Sequence, residues 1–237
     1  MRRCSGVSVQ PSKPVSPNSY RRLPVTYWLF GLTVAAYIAE VVVPGFVDRF
    51  EMVGQALQRD GRLYVYQGGP HPGSELVGVA HGEWYRLLTA GFLHQQPLSG
   101  FGITHIIFNM MWLFMLGRLL EPVLGHLWFA LTYLGSILGG SLLSYALAPD
   151  SAGLGASGAV YGLVAAYFVL SRHFNADRSE ARGLVIFFLI WLVISAAFAS
   201  WQAHLGGFLA GGVIALVHIA FRSVRRSDAT PPATPQP

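Results

Sequence analysis

A serine among glycines is the first candidate for chemistry in this sequence. It is Ser157, in the stretch GLGASGAVYG of residues 153–162, which follows a polar break and opens an apolar segment. Gly155 allows a backbone conformation that a Cβ would forbid, and Gly158 leaves room for a substrate carbonyl. A helix that begins at Ser157 would point its unpaired N–H groups at developing negative charge. The stretch favours a serine nucleophile, and a small-residue contact between membrane helices is the alternative.

His204 is the candidate for the base that activates this serine. Gly207 and Gly211 follow it at i+3 and i+7, so one face of its helix is smooth. Gly158 begins a similar face in the helix that carries the serine, and two such faces allow backbones to approach closely. That approach would bring His204 to Ser157, and imidazole has a pKa suited to removing a hydroxyl proton. A purely structural histidine at a helix end is the alternative.

The surroundings of this pair favour a dyad over a triad. Tyr161, one turn after Ser157, could pack against the imidazole and orient it. No acidic residue occurs in the apolar parts of the two helices, so we expect no carboxylate as a third member.

A second group of polar residues lies on another apolar segment. His105, Asn109 and Trp112 fall at i, i+4 and i+7, on one face of a helix. His105 and Asn109 can donate hydrogen bonds without a fixed charge, which suits an oxyanion hole, and polar contacts between helices are the alternative. A metal bound by His94, His105 and His204 is conceivable, but no acidic or cysteine ligand supports it. We therefore expect neither a metal nor a cofactor.

The composition indicates a helical membrane protein. Of 237 residues, 53% are hydrophobic and 11% are charged, whereas soluble domains carry about 25% charged residues. The apolar residues form long runs, and the mean hydropathy is +0.46. The pI near 9.6 reflects basic residues beside these runs, where positive charge sets topology, so we expect no nucleic-acid partner. Cys4 is the only cysteine, which excludes an internal disulfide.

The apolar runs predict an all-α, polytopic bundle of six transmembrane helices with a long first outer loop at residues 44–83. The expected spans are 25–43, 101–120, 127–148, 157–170, 183–199 and 204–221. They form a membrane domain of residues 24–223, between disordered cytoplasmic tails at residues 1–23 and 224–237. Twelve of the sixteen Lys and Arg residues then lie in inside segments and four in outer loops, which places both termini in the cytoplasm.

This topology places three chemical side chains at a similar depth. Ser157, His204 and His105 each lie near the start of a helix that runs from outside to inside. Ionisable groups at such a depth are costly in lipid and normally face a protein interior or a water-filled cavity. We therefore expect a hydrated site in the outer part of the membrane.

Four motifs in this order resemble those of the rhomboid family of intramembrane serine proteases, and the resemblance covers residues 83–220. They are Tyr85-Arg86, similar to a Trp-Arg-type motif in the first loop; His105 and Asn109, in a His-x-x-x-Asn pattern continued by Trp112, Gly117 and Glu121; residues 155–158, a Gly-x-Ser-Gly motif with Tyr161 at the expected offset; and His204, Gly207 and Gly211, a His-x-x-Gly-x-x-x-Gly motif. Each motif is weak alone, but four in order on six spans are specific.

The resemblance implies roles for these residues and a function. Ser157 would be the nucleophile and His204 the general base, while Asn109, His105 and the Ser157 N–H stabilise the oxyanion. The implied reaction is cleavage of single-span membrane protein substrates near the outer face of the bilayer, at small residues. We expect a multi-pass protein of a bacterial plasma membrane.

One departure from the family pattern concerns a further histidine. The family usually has a histidine five residues before the oxyanion histidine, and Gly100 occupies that position here. His94, eight residues after Arg86, is the counterpart by position, and an insertion of about six residues follows it. His94 either reaches the site or is replaced there by water.

Two other classes of function are alternatives to an enzyme. A catalytically inactive, rhomboid-like membrane chaperone or binding protein would lack the serine or the histidine, and both are present. A small transporter or channel would have charged residues at mid-depth in its spans, for which Glu40 is the only candidate.

Overall fold

Helices make up most of the described chain, which comprises residues 23–69, 71–173, 178–196 and 199–228 of this computed structural model. In chain order the helices are α1 (Pro24–Val42), α2 (Phe46–Phe50), α3 (Arg86–Thr89), α4 (Ile103–Leu124), α5 (His126–Leu147), α6 (Ser157–His173), α7 (Arg178–Ser195) and α8 (Trp201–Asp228). Three strands, β1 (Ala56–Arg59), β2 (Arg62–Tyr64) and β3 (Glu75–Val77), and two 3₁₀ turns, Val79–His81 and Ala90–Phe92, lie between α2 and α4. The chain is thus a helical bundle with a structured insertion after its first long helix.

Four helices of the described chain are long and apolar enough to cross a membrane. They are α1, α4, α5 and, within α8, the segment Trp201–Val224. Their outer faces carry exposed apolar side chains such as Leu32, Ile107 and Leu209, which suits contact with lipid. The other two predicted spans correspond to α6, which has 17 residues, and α7, whose first turns carry charged residues.

The central helix of the bundle is α6, against which α5 and α8 pack. Its residues 158–166 are all buried. A Cβ added at Gly207 would strike the backbone of Gly158, and one added at Gly211 would strike the backbone of Gly162. Because lipid tails are as apolar as the helices, van der Waals contact at such short range is what holds membrane helices together. The two glycine faces therefore meet as the sequence predicts.

The first turn of α1 is capped by a residue of α4. The carboxylate of Glu121 accepts hydrogen bonds from the N–H groups of Val25 (3.0 Å) and Thr26 (2.9 Å) and from the Thr26 hydroxyl (2.6 Å). The N-cap residue itself, Leu23, provides no side-chain cap. Glu121 therefore satisfies donors that a helix N-terminus leaves unpaired. The Nδ1 atom of His126 lies 2.8 Å from the same carboxylate.

The end of α4 differs from the predicted one. The helix does not close at residue 120 but continues through Pro122 to Leu124. A proline removes one N–H from the helix, and two further residues follow it before Gly125 adopts φ +78° and ends the helix.

The boundaries of α6, α7 and α8 also differ from the predicted ones. The predicted linker 171–182 is helical at both ends, since α6 ends at His173 and α7 begins at Arg178. Its Arg and Glu residues favour helix, and a charged segment at the end of an apolar run can continue it. The last helix begins three residues before His204 and ends at residue 228, which is five residues into the predicted tail. The rest of the two tails, residues 1–22 and 229–237, lies outside the described residues.

The segment between α2 and α3 contains a small antiparallel sheet that we did not predict. β1 pairs with both other strands, in the order β2-β1-β3. Asp60 and Gly61 form the two-residue β1–β2 turn with positive φ values of 50° and 75°, as such hairpins require. Val53, Ala56 and Val77 form its buried cluster. Strands of three or four residues are too short for an alternating pattern to be recognised in the sequence.

Candidate active site

Ser157 is the first residue of the central helix α6, and the segment before it is held by backbone hydrogen bonds. The N–H and C=O of Gly153 pair with Met52 at 2.8 and 2.9 Å, and the N–H of Gly155 donates to the Ala90 carbonyl at 2.9 Å. Gly155 has φ +127°, and a Cβ there would lie 2.9 Å from the His105 ring. Both conformation and space therefore require glycine at this position.

His204 lies beside the serine in the first turn of α8. Its Nε2 atom is 2.8 Å from the Ser157 hydroxyl oxygen. The Tyr161 ring stacks on the imidazole at a centroid distance of 4.5 Å and an interplanar angle of 13°. The Tyr161 hydroxyl donates to the carbonyl of Phe188, at 3.0 Å, which fixes the tyrosine. The imidazole thus lies between the Ser157 hydroxyl and the Tyr161 ring.

The second nitrogen of this imidazole has no hydrogen-bond partner among the described residues. It is the buried Nδ1 atom of His204. In a catalytic triad a carboxylate would bind this atom and set the tautomer. Among the described residues no carboxylate binds this nitrogen, and the Tyr161 ring stacks on the imidazole instead.

His105 and Asn109 lie on the α4 side of the serine. The N–H of Gln95 donates to His105 Nδ1 at 3.2 Å, so the hydrogen of the neutral ring lies on Nε2. A Cβ built on Gly155 would lie 3.0 Å from this Nε2 atom and 3.6 Å from the Ser157 hydroxyl oxygen. The Asn109 amide donates one hydrogen to the His105 carbonyl at 2.8 Å, and a side-chain amide has a second to offer.

A cavity of about 710 Å³ joins these groups. Ser157, His204, His105 and Asn109 all line it, and aromatic residues of α4 and α7 form part of its wall. Its size is in the range of pockets that bind a small molecule or a stretch of extended peptide. The serine hydroxyl, the two imidazoles and the side-chain amide therefore belong to residues that line one cavity.

His94 takes a different place from the other predicted site residues. It is fully buried, its ring centroid lies 5.0 Å from that of His105, and it does not line the cavity. Its backbone N–H donates to the carboxylate of Glu40 at 3.0 and 3.1 Å. Neither ring nitrogen has a partner among the described residues. His94 thus packs behind His105, and Glu40 holds the adjoining backbone.

The segment before α4 is anchored by Arg86. Its Nη1 atom donates to the carbonyls of Asp48 (2.8 Å) and Glu51 (2.9 Å), and its Nε atom donates to the Glu83 carboxylate at 2.7 Å. Burial alone would raise the pKa of Glu83, but hydrogen bonds from Arg86, Gly78 and Tyr85 outweigh it and lower that pKa. The Tyr85 hydroxyl, in the place of a Trp, donates to Glu83 at 2.9 Å.

Four residues of this site could not be predicted from the sequence. Met52, Ala90 and Gln95 contribute backbone groups, which any residue type supplies, so no sequence pattern marks them. Glu51, which also lines the cavity, lies in the segment expected to be the long first outer loop.

Comparison with known proteins places the chain in a family. The family model of the Rhomboid domain matches residues 81–221, more than half of the chain. YdcA, a rhomboid-family protein of Bacillus subtilis (strain 168), is 33% identical over 157 residues, which are 64% of this chain and 73% of YdcA. Rhomboid protease GluP of the same strain is 33% identical over 137 residues, 56% of this chain but only 26% of GluP. RHOMBOID-like protein 5 of Arabidopsis thaliana is 28% identical over 234 residues, 87% of this chain and 73% of the plant protein.

The matched range contains Ser157, His204, His105 and Asn109, whereas Glu51 and Met52 lie before it. Together with the apolar helices, the match indicates an integral membrane protein. The chain belongs to the rhomboid family.

Proposed function

We propose that this protein is an intramembrane serine endopeptidase that cleaves the transmembrane segments of single-span proteins near the outer membrane face. The observation that carries the proposal is the 2.8 Å contact between Ser157 and His204 inside a cavity with two neutral donors. The relative GluP is named a protease, which supports the same reaction class.

The reaction begins with proton transfer within the dyad. His204 Nε2 takes the hydroxyl proton as Ser157 Oγ attacks the substrate carbonyl, and the tetrahedral intermediate places negative charge on the former carbonyl oxygen. The Ser157 N–H, His105 Nε2–H and the free Asn109 amide hydrogen stabilise that oxygen. Protonated His204 then gives its proton to the leaving amine, and an acyl-enzyme remains.

Water completes the reaction. His204 removes a proton from a water molecule that attacks the ester, and Ser157 recovers its hydrogen when the acid leaves. The cavity admits this water, while the Tyr161 ring keeps the imidazole in position through both steps. The protein itself supplies each proton transfer.

Six spans, with both termini in the cytoplasm of a bacterium, form part of this proposal. In that arrangement α6 and α7 are the fourth and fifth spans, and α6 crosses with only 17 residues because it begins within the bundle, below the outer surface. Twelve basic residues on the inside against four outside support this orientation.

Cleavage of a transmembrane reporter by the purified protein tests the function. We expect product from the wild type and loss of at least about 10³-fold in rate for Ser157→Ala and for His204→Ala, since either change removes the dyad. Ser223→Ala, at the exposed far end of α8, is the matched control and should cleave like wild type. A fluorophosphonate should label Ser157 in the wild type and in Ser223→Ala but should not label Ser157→Ala.

Two results would contradict the proposal. One is product from the Ser157→Ala protein at the wild-type rate. The other is a folded wild type that neither cleaves the reporter nor reacts with the fluorophosphonate, which would leave a binding role for this family member.

A further inference from the structure

The cavity is lined by one carboxylate. Among the described residues that line it, Glu51 is the only acidic or basic side chain apart from the histidines. It follows α2 in an extended conformation, with ψ 153°. Its side chain is largely buried, at 9% exposure, and forms no hydrogen bond within the described residues. Within the part of the chain that the structure describes, the charge and hydrogen-bonding capacity of this carboxylate are therefore unused.

The backbone around Glu51 is fixed in place. Its carbonyl accepts from Arg86 at 2.9 Å, and its N–H donates to the Val47 carbonyl at 2.8 Å. The next residue, Met52, pairs with Gly153 in the segment that leads to Ser157. The backbone of Glu51 is therefore held beside the segment that leads to Ser157 by groups that a side-chain substitution at Glu51 leaves intact.

Among the described residues, no cationic side chain forms an ion pair with this carboxylate. The Arg86 guanidinium binds the Glu83 carboxylate and two carbonyls instead. Asp48, on α2, adds a second negative charge nearby. Burial and Asp48 raise the pKa of Glu51 to about 7, and Arg86 opposes them in part. A cation that entered the cavity would supply the missing partner and relieve the cost of burying an unpaired charge.

We propose that Glu51 recognises a lysine or arginine side chain of the substrate, three or four residues from the bond that is cleaved. Gly153 stands four residues before Ser157, and an extended chain rises about 3.3 Å per residue. A substrate stretched along residues 153–156 therefore brings its third or fourth residue beside Glu51. The substrate class is membrane segments with a basic residue near the cleaved bond, and this inference rests on the proposed protease function.

A positional scan of one transmembrane reporter tests the inference. Lysine, glutamine or glutamate is placed singly at each of the six positions on either side of the cleaved bond, and kcat/KM is measured for each. We expect lysine to exceed glutamine by about tenfold at one position three or four residues from the bond, the size of a charge-assisted hydrogen bond. Glutamate at that position should be the poorest.

Substitutions at Glu51 assign the preference to this side chain. In Glu51→Gln, kcat/KM for the lysine reporter divided by kcat/KM for the glutamine reporter should fall to about one. In Glu51→Lys, the glutamate reporter should have the highest kcat/KM. Glu75→Gln is the matched control: it removes an exposed carboxylate of β3 in the same insertion and should keep both the ratio and the rate. Thermal unfolding of each variant accompanies the rates.

Binding of the same peptides to the Ser157→Ala protein separates this inference from the function itself. Tighter binding of the lysine peptide, lost in the Ser157→Ala, Glu51→Gln double variant, supports recognition whether or not the wild type cleaves. Equal binding of lysine and glutamine peptides overturns it. Cleavage of every reporter without a lysine preference at any position also overturns it, while the protease proposal stands.

Discussion

The α6–α8 contact and the insertion between α1 and α4 both position the site, but they are built differently. At the first, glycines of two helices bring the backbones together, and Ser157 and His204 meet as a result. In the second, the buried Arg86 side chain donates hydrogen bonds to two carbonyls and to the Glu83 carboxylate. Backbone hydrogen bonds between Met52 and Gly153 join this region to the segment that precedes Ser157. The glycine contact leaves no space for added atoms. The hydrogen bonds of the insertion are separate from one another, so one of them can be lost while the others remain.

The largest effect should come from a methyl group in the glycine contact. In Gly207→Ala the new Cβ strikes the Gly158 backbone, which has no side chain that could move away. We expect the free energy of unfolding to fall by about 3 kcal/mol and cleavage to drop with it, because His204 lies one turn away. Thermal unfolding in detergent and the reporter assay measure both.

Gly212→Ala is the control for that substitution on the same helix. Its Cβ would lie an ordinary 3.6 Å from that of Ala165, so stability should stay equal or rise by up to about 1 kcal/mol, the helix preference of alanine over glycine. Equal losses at Gly207 and Gly212 would contradict the role of the contact.

A smaller effect is expected when the anchor of the insertion is changed. Arg86→Lys keeps the charge but loses the planar fork that binds two carbonyls and Glu83 together. The free energy of unfolding should fall by about 1–2 kcal/mol, with lower kcat/KM because Glu51 and Met52 lose their fixed position. Arg62→Lys, on the exposed strand β2, is the control and should change neither the free energy of unfolding nor kcat/KM. If Gly207→Ala lowered the free energy of unfolding less than Arg86→Lys does, the comparison between the two regions would be reversed.

The smallest effect is a dependence of substrate preference on pH. The pKa of Glu51 is raised to about 7, so the side chain is mainly protonated at pH 6 and ionised at pH 8. For a pKa of about 7, the ratio of lysine to glutamine reporter should increase from about twofold at pH 6 to about ninefold at pH 8. Titration of groups common to both reporters cancels in the ratio. A flat ratio in wild type, like that expected for Glu51→Gln, would contradict ionisation of this residue.

The difference between the glycine contact and the insertion also explains which features can be predicted from the sequence. Glycines follow Ser157 and His204 at helical spacing. This periodic pattern predicts both the glycine face of each helix and the contact between the two helices. The bridge between Met52 and Gly153, and the Gln95 N–H that sets the hydrogen of His105, use backbone atoms that every residue has. Helix ends were also poorly predicted, because α4 continues past Pro122 and α8 past residue 223 for reasons of local geometry rather than hydropathy.

The cap that Glu121 places on α1 has a consequence for how the protein is made. Val25 and Thr26 leave the ribosome about 95 residues before the carboxylate that binds their N–H groups. At about 5–20 residues per second, α1 spends roughly 5–20 s without it. During that interval the start of α1 must keep its N–H groups in contact with water or lipid headgroups. Glu121 can bind these N–H groups only after α4 has been made, so the start of α1 reaches its final hydrogen bonding later than its own synthesis.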